Sequence, residues 1–272
     1  MMEVGISSAC FFGRMPLEDV FEHMRYINAG LCEVFLNTYS EYEPEFIDIL
    51  YSRMADNGLR AYSVHSMSTQ FEPQLFSIDV RQRRDARVFF KKVLAGAKKL
   101  GAKVYVMHGP ATMRGAIKNV NMSRIGPMTA ELAELADDEG VRLSWENVSW
   151  CLFSQPQFAS MLIEAARSEK IGFTLDIKQA ARSGYSYQSF IDNMGDRIVN
   201  VHVCDYRIDE NGRTVFTGIG DNGVDFAALK KSLDAVGYKG PAIVEVYSDT
   251  YGDIAELGDF IVRLRDKFSS KP

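Results

Sequence analysis

Six side chains able to bind a metal or move a proton stand at the ends of short apolar runs. They are His65 in YSVHS, His108 in VYVMHG, Glu146 in RLSWEN, Asp176 in GFTLDI, His202 in IVNVHV and Glu245 in AIVEVY. Runs of this kind read as buried strands, and a charged group at a buried strand end is costly unless something pairs with it. Six at corresponding positions imply convergence on one another and on a cation. Three carboxylates and one imidazole make up the last four, Glu146, Asp176, His202 and Glu245. That hard, oxygen-rich set suits one divalent ion, Mn²⁺ first and Mg²⁺, Co²⁺ or Zn²⁺ as alternatives. Octahedral coordination would leave two positions for neighbouring oxygens of a polyol or hydroxyketone. Any one of the four taken alone would read as a buried polar group in an internal hydrogen-bond network; together they favour the metal.

The elements that must position these residues alternate along the chain. Apolar runs at 4–11, 31–37, 60–67, 103–109, 141–149, 171–177, 197–205 and 241–248 read as eight strands. Segments with helical periodicity lie between them, such as PLEDVFEHMRYINAG and DARVFFKKVLAGAKKLG, and DIAELGDFIVRLRDKF closes the series. Gly30, Gly58, Gly101, Gly140, Gly195 and Gly237 follow helical segments, where a left-handed residue ends a helix. Eight such units predict a closed parallel (β/α)₈ TIM barrel, with residues 1–272 as one domain. A doubly wound open sheet is the alternative, disfavoured because no GxGxxG follows the first strand.

Side-chain parity agrees. Ser144, Thr174 and Asn200 share the parity of the candidate ligands and suit a barrel interior, whereas Leu143, Trp145, Phe173, Leu175, Val199 and Val201 suit packing under helices. The long loops follow strands 3, 4 and 7, on the C-terminal face where barrel enzymes keep their active sites.

The formal net charge of −5 and pI near 5.5 argue against a protein that grips phosphate backbones. The opening MMEVGISSACFFG has no basic leader pattern, and no later run approaches a membrane span. Cys10, Cys32, Cys151 and Cys204 form no CxxC pair or disulfide framework, so a reducing cytoplasm is expected.

In order along the chain, EVF, VHS, MHG, WEN, LDIKQA, HVCD and VEVY resemble the xylose-isomerase-like barrels, which include sugar isomerases, ketose epimerases, inosose dehydratases and zinc-dependent apurinic endonucleases. The resemblance spans nearly the whole chain and is specific for the superfamily, not for one reaction. It implies that Glu146, Asp176, His202 and Glu245 hold the shared metal, and that Glu146 and Glu245 exchange the substrate's proton. The chemistry is coherent: removing a proton α to a carbonyl needs a base close to the carbon and a cation at the developing enediolate. Carboxylates on opposite faces can take the proton from one side and return it on the other, which is epimerisation. Return at the neighbouring carbon is ketose–aldose isomerisation.

The resemblance leaves His65 and His108 two uses, substrate contact or a second metal shared with Glu146; a core histidine bonded to a carbonyl is the third reading, and substrate contact is preferred. The endonucleases carry a third-zinc histidine where Gln179 stands, and an Asp-x-His pair that the loop TGIGDNG lacks. Nucleic-acid chemistry is therefore disfavoured. Gln179 also replaces a histidine of many epimerases, and it is retained as a substrate-binding candidate.

Arg207 could reach a substrate oxygen or carboxylate from the strand 7 loop, or be a surface arginine. Glu33 could line the pocket or bond a neighbouring strand, the structural role being preferred, and Trp150 could wall the site or pack in its loop. Asp221 and Asp225 argue for a tight turn over an anion site at GIGDNG, His23 reads as surface, and RQRRDAR reads as a solvated face.

The expected protein is a metal-dependent isomerase or epimerase acting on a small carbohydrate, with no nucleic-acid or membrane partner. A dehydratase, a phosphoester hydrolase and a non-catalytic sugar-binding barrel are the alternatives. Homo-oligomers are common among such barrels, although no segment here specifies one.

Overall fold

The computed structural model describes residues 2–111, 120–220 and 223–269. Eight parallel strands close into a barrel: β1 (Val4–Ser7), β2 (Leu31–Leu36), β3 (Arg60–Ser66), β4 (Val104–Met107), β5 (Arg142–Glu146), β6 (Ile171–Asp176), β7 (Ile198–Val203) and β10 (Ala242–Val244). Each pairs with its sequence neighbours, and β1 closes the ring on β10 through Val4↔Ala242 and Ile6↔Val244. The remaining two strands, β8 (Asp205–Ile208) and β9 (Thr214–Thr217), form an antiparallel hairpin in the loop after β7. That hairpin was read from sequence only as a long loop, because its two strands are too short and too polar to show a period.

Helices surround the barrel: α1 (Val20–Tyr26), α2 (Pro44–Asp56), α3 (Glu72–Leu75), α4 (Val80–Leu100), α5 (Met122–Asp138), α6 (Gln157–Ala166), α7 (Ile177–Arg182), α8 (Tyr187–Met194), α9 (Phe226–Ala235) and α10 (Ile254–Ser269). The longest, α4, shows how the sequence sets an element. Asp79 caps its start by accepting from the Arg81 and Gln82 N–H groups. One face buries Ala86, Phe90, Val93, Leu94 and Ala97, and Gly101 ends it with φ +77°. After α1 the left-handed position is taken by Asn28, at φ 57°, and not by Gly30. Asparagine tolerates this conformation better than most residues, so a search restricted to glycine misplaces that turn.

The inferred parity holds. Leu143, Trp145, Phe173, Leu175 and Val201 are buried beneath helices, and Val199 is partly exposed. The interior parity is polar and fully covered: Ser7, Glu33, Ser63, Ser144, Thr174 and Asn200 are all 0 % exposed. Their groups satisfy one another, as in Ser144 Oγ against Thr174 Oγ1 at 2.7 Å.

Strand ends are shorter than the apolar runs suggest. The first run continues to Phe11, but β1 stops at Ser7, whose hydroxyl accepts from the Ala9 N–H and starts a 3₁₀ turn over Ser8–Phe11. Residue 245 lies just beyond β10, yet its N–H donates to the Val203 carbonyl at 2.9 Å and stays in the ladder.

Candidate metal centre at the C-terminal mouth

Glu146 ends β5, Asp176 ends β6, His202 lies in β7 and Glu245 follows β10, so four adjacent strands deliver four ligand-type side chains to one point. One donor atom from each falls within 4.8 Å of all the others. Opposite ligands of an ion bound at about 2.1 Å stand about 4.2 Å apart, so small rotations would close the set.

His202 Nδ1 is 2.9 Å from Glu245 Oε2, 3.5 Å from Glu146 Oε1 and 4.0 Å from Asp176 Oδ2. Despite this crowding, Asp176 Oδ2, His202 Nδ1, Glu245 Oε2 and Glu146 Oε2 are buried and complete no hydrogen bond. Buried polar atoms are nearly always satisfied. Asp176 Oδ2, His202 Nδ1 and Glu245 Oε2 crowd together with Glu146 Oε1, while Glu146 Oε2 turns to His108; a divalent cation fits the group, and the donor types suit Mn²⁺ or Mg²⁺.

The supports are as specific as the ligands. Glu33, in β2, accepts from Ser7 Oγ at 3.0 Å, Ser63 Oγ at 2.7 Å and Asn200 Nδ2 at 3.2 Å, and lies 2.9 Å from His202 Nε2. A carboxylate there holds a ring proton on Nε2 and turns Nδ1 to the centre. Asp176 also caps α7, Oδ1 accepting from the Gln179 N–H at 2.8 Å, which leaves Oδ2 for the cluster. The Gln179 side chain in turn accepts from the Ser149 N–H and hydroxyl, tying the strand 5 loop to the site.

A second group meets the first at Glu146. His108 Nε2 is 2.8 Å from Glu146 Oε2, and His65, His108 and Glu146 themselves form a metal-compatible triad. His108 Nδ1 faces Ser68 Oγ at 3.0 Å. Its backbone turn is held by Glu72, whose Oε2 accepts from the His108 and Gly109 N–H groups at 2.9 Å each and whose Oε1 accepts from Tyr105 Oη at 2.6 Å. His65 is 3 % exposed with neither ring nitrogen hydrogen-bonded. Both nitrogens therefore remain for an incoming group, which does not match a core histidine bonded to a carbonyl.

The electrostatics are those of crowded like charges. Burial pushes Asp176 up to about 8 against the pull of Lys178, with Glu245 and Glu146 adding repulsion. Burial also opposes charge on Glu245, but Lys178 and His202 outweigh it and hold that carboxyl below its ordinary range. Glu146 is held well below its range in the same way, by His108 and then His202. Burial lowers His65 to about 4, so its ring is neutral at pH 7.

Lys178 was not singled out from the sequence. Its Nζ lies 3.4 Å from Glu245 Oε2, 3.6 Å from Asp176 Oδ2 and 4.6 Å from the centre of the Tyr247 ring. Its position two residues past Asp176 was the available signal, masked because lysine is normally solvated.

Of the sequence candidates, Glu146, Asp176, His202, Glu245, His65 and His108 come together, and Gln179 adjoins them. Arg207 does not: it is exposed on β8, paired with Val215 across the hairpin. The nearby guanidinium is that of Arg182, hydrogen-bonded to Tyr247 Oη. Trp150 stands edge-on to His108 with ring centres 5.7 Å apart. Asp225 caps α9, accepting from the Ala228 N–H, and Asp221 lies outside the described residues. The N–H groups of Gly220, Gly223 and Val224 all donate to Asp205 of the chain itself. His23 is half-buried in α1, away from this centre, and the basic run RQRRDAR forms the first turns of α4 and is largely solvated.

A family model described as a xylose isomerase-like TIM barrel matches residues 20–264. The chain belongs to that family. Among curated family relatives, the rhizopine catabolism protein MocC of Rhizobium meliloti is 25% identical over 154 residues, 52% of this chain and 47% of the relative. The inosose dehydratase of Geobacillus thermodenitrificans is 25% identical over 132 residues, 43% of this chain and 44% of the relative. The matched region thus spans about half the length of these curated relatives.

The solved structure of a D-tagatose 3-epimerase-like protein superposes with a TM-score of 0.74 at 21% identity, covering 98% of both chains. The IolI protein with a bound zinc atom superposes at 0.79 with 16% identity and the same coverage. At such identities the likeness is one of fold. No described helix is long and apolar enough to cross a membrane.

Proposed function

We propose that this xylose isomerase-like barrel is a divalent-metal-dependent isomerase or epimerase acting on a small sugar or sugar derivative through proton abstraction α to a carbonyl. The observation that carries this reading is the convergence of one donor atom from each of four adjacent strands, with carboxylates at both ends of the set and unpaired buried atoms on Asp176, His202 and Glu245. Support comes from the D-tagatose 3-epimerase-like structure and from the zinc in IolI. Glu146, Asp176, His202 and Glu245 would hold the ion, Mn²⁺ being the best match to three oxygens and one nitrogen. Once bound, the ion supplies positive charge at the carbonyl and hydroxyl oxygens beside the carbon that loses its proton.

The chain's own groups do the rest. Glu245, kept ionised by Lys178 and His202, takes or returns a proton on one side of the carbon. Glu146, paired with His108, acts from the side of β5. His65 offers an unpaired neutral ring to substrate hydroxyls, and His108, held by Glu146 and Ser68, stands beside it with ring centres 4.5 Å apart and walls the substrate site.

A dehydratase is the second reading, favoured by the inosose dehydratase relative; it begins with the same abstraction and then expels a hydroxide. The deciding experiment is loss of α C–H signals from a panel of ketohexoses, keto-inositols and keto-glycosides in D₂O with added Mg²⁺, followed by proton NMR. Exchange that Glu245→Gln abolishes is the expected result, with elimination of water identifying the dehydratase. No exchange across the panel, or exchange undiminished in the variant, would overturn the proposal.

A further inference from the structure

Beside the metal centre lies a cleft of about 950 Å³, near the upper end of the roughly 300–1,000 Å³ typical of ligand sites. None of the four candidate ligands lines it, but its walls run directly into the groups around them. Trp150, 41 % exposed, forms one wall and stands edge-on to His108. Phe216, from the β8–β9 hairpin, and Arg182 form another. The Arg182 guanidinium lies 5.6 Å from the Phe216 ring centre and 5.5 Å from that of Tyr247, the ring that carries Lys178 on its face. Ser149, hydrogen-bonded to Gln179, joins the cleft to the loop after β5.

The lining has a definite chemistry. Among the described residues, aromatic side chains of Trp150, Phe216 and Tyr185 line it together with hydroxyls and one amide, and no carboxylate or lysine takes part. Such a surface stacks the C–H face of a pyranose or an aromatic ring and hydrogen-bonds neutral hydroxyls around its edge. Arg182 is already engaged with Tyr247 Oη and two ring faces. Its spare N–H groups suit hydroxyl or ring oxygens at the junction with the metal centre.

We propose that this cleft seats the second ring of a glycoside, a sugar or an aryl aglycone, whose reacting sugar lies on the metal centre. The inference rests on the functional reading above. It narrows the substrate class from free monosaccharides to molecules with two joined rings. The hairpin inserted after β7 then has a role: it supplies Phe216 as a specificity wall.

The chain has two tryptophans, Trp145 fully buried and Trp150 in the cleft, so tryptophan emission reports occupancy without turnover. The metal-loaded protein is titrated with methyl β-D-glucoside as a one-ring probe and with phenyl α-glucoside, phenyl β-glucoside, maltose and cellobiose as two-ring probes. The expected result is that at least one two-ring probe binds fivefold or more tightly than the methyl glucoside. The emission change should vanish in Trp150→Phe, and Phe216→Ala should remove the fivefold preference while leaving one-ring binding unchanged. Phe216→Leu replaces that variant if circular dichroism shows it unfolded. If no two-ring probe reaches fivefold, or if glucose 6-phosphate binds more tightly than all of them, the proposal is overturned. Ketose exchange without two-ring preference removes the cleft assignment alone; two-ring preference without exchange removes the catalytic reading and leaves the cleft.

Discussion

Glu33→Gln separates positioning of the proposed metal centre from integrity of the barrel. Glu33 is fully buried and contacts Ser7 and Ser63 on the two neighbouring strands and Asn200 and His202 on β7 across the barrel. Glutamine preserves the shape. Its amide nitrogen can face Ser7, whose hydroxyl can accept, while its oxygen faces the other three donors. Each contact then changes from charge-assisted, about 1.5–3 kcal/mol, to neutral, about 0.5–1.5 kcal/mol. Against that loss stands relief from burying a carboxylate, itself several kcal/mol. The two nearly cancel, so the unfolding free energy should move by less than about 2 kcal/mol.

Metal affinity has no such compensation. The His202 ring loses the charged acceptor that fixes its proton on Nε2 and enriches Nδ1, and an outer partner of this kind is worth about 10–100-fold in affinity. Calorimetric titration with Mn²⁺ and thermal unfolding of the same samples measure both quantities. Unchanged Mn²⁺ affinity in a folded Glu33→Gln protein would refute the assignment of His202 as a ligand oriented by Glu33. Collapse of the fold would refute the claim that the charge is dispensable for the barrel.

Three further outcomes follow from particular contacts. Lys178→Met removes a buried ammonium 3.4 Å from Glu245 and 3.6 Å from Asp176; Coulomb's law at an effective dielectric near 20 makes it worth several kcal/mol at such distances. Co²⁺ should therefore bind at least about tenfold more tightly, and thermal stability should come to depend on added metal; weaker Co²⁺ binding would contradict this placement of the lysine. Gly109→Ala puts a Cβ at a residue with φ +71°, 2.4 Å from the Trp145 ring, and should cost about 2–4 kcal/mol in a denaturant melt. A neutral result there would mean that the turn presenting His108 is not the one described. Finally, all four cysteines are free and buried, with Cys10 and Cys32 pushed up to about 12 by desolvation, so native protein should resist iodoacetamide at every thiol until it unfolds. Rapid stoichiometric labelling of any one would contradict its burial.

The barrel was legible because its two periodicities never conflict. Ligand-type residues, Ser144, Thr174 and Asn200 share one parity and the apolar residues the other, so the strands, their facing and the ligand set follow from a single pattern. What stayed hidden lacks a local period. The β8–β9 hairpin is a pair of four-residue strands with mixed polarity, and the end of β1 is decided by one hydroxyl that turns back to its own backbone. Arg207 and Arg182 show the same limit from the other side. Both are exposed arginines after a ligand-bearing strand, and only the direction of the following chain decides which one reaches Tyr247.

Glu33 and Lys178 are the more instructive cases, because their meaning lies in partners that sequence cannot pair. A buried glutamate in β2 reads as a local strand contact until β7 is known to lie across the barrel with His202 and Asn200 facing it. A lysine on the first turn of α7 reads as solvated until Asp176 caps that same helix and draws its first turn down onto the mouth. The cap uses one carboxylate oxygen and leaves the other for the cluster. Asp176 therefore sets the helix, and through it Lys178 and Gln179, while contributing a donor of its own. Replacing Asp176 with asparagine would keep the cap and remove the charge, whereas alanine would remove both. If the ligands and the flanking groups form one unit, alanine should displace Gln179 from Ser149 and asparagine should not. Amide hydrogen exchange at Ser149 distinguishes the two, and equal protection in both variants would separate the helix cap from the order of the loop.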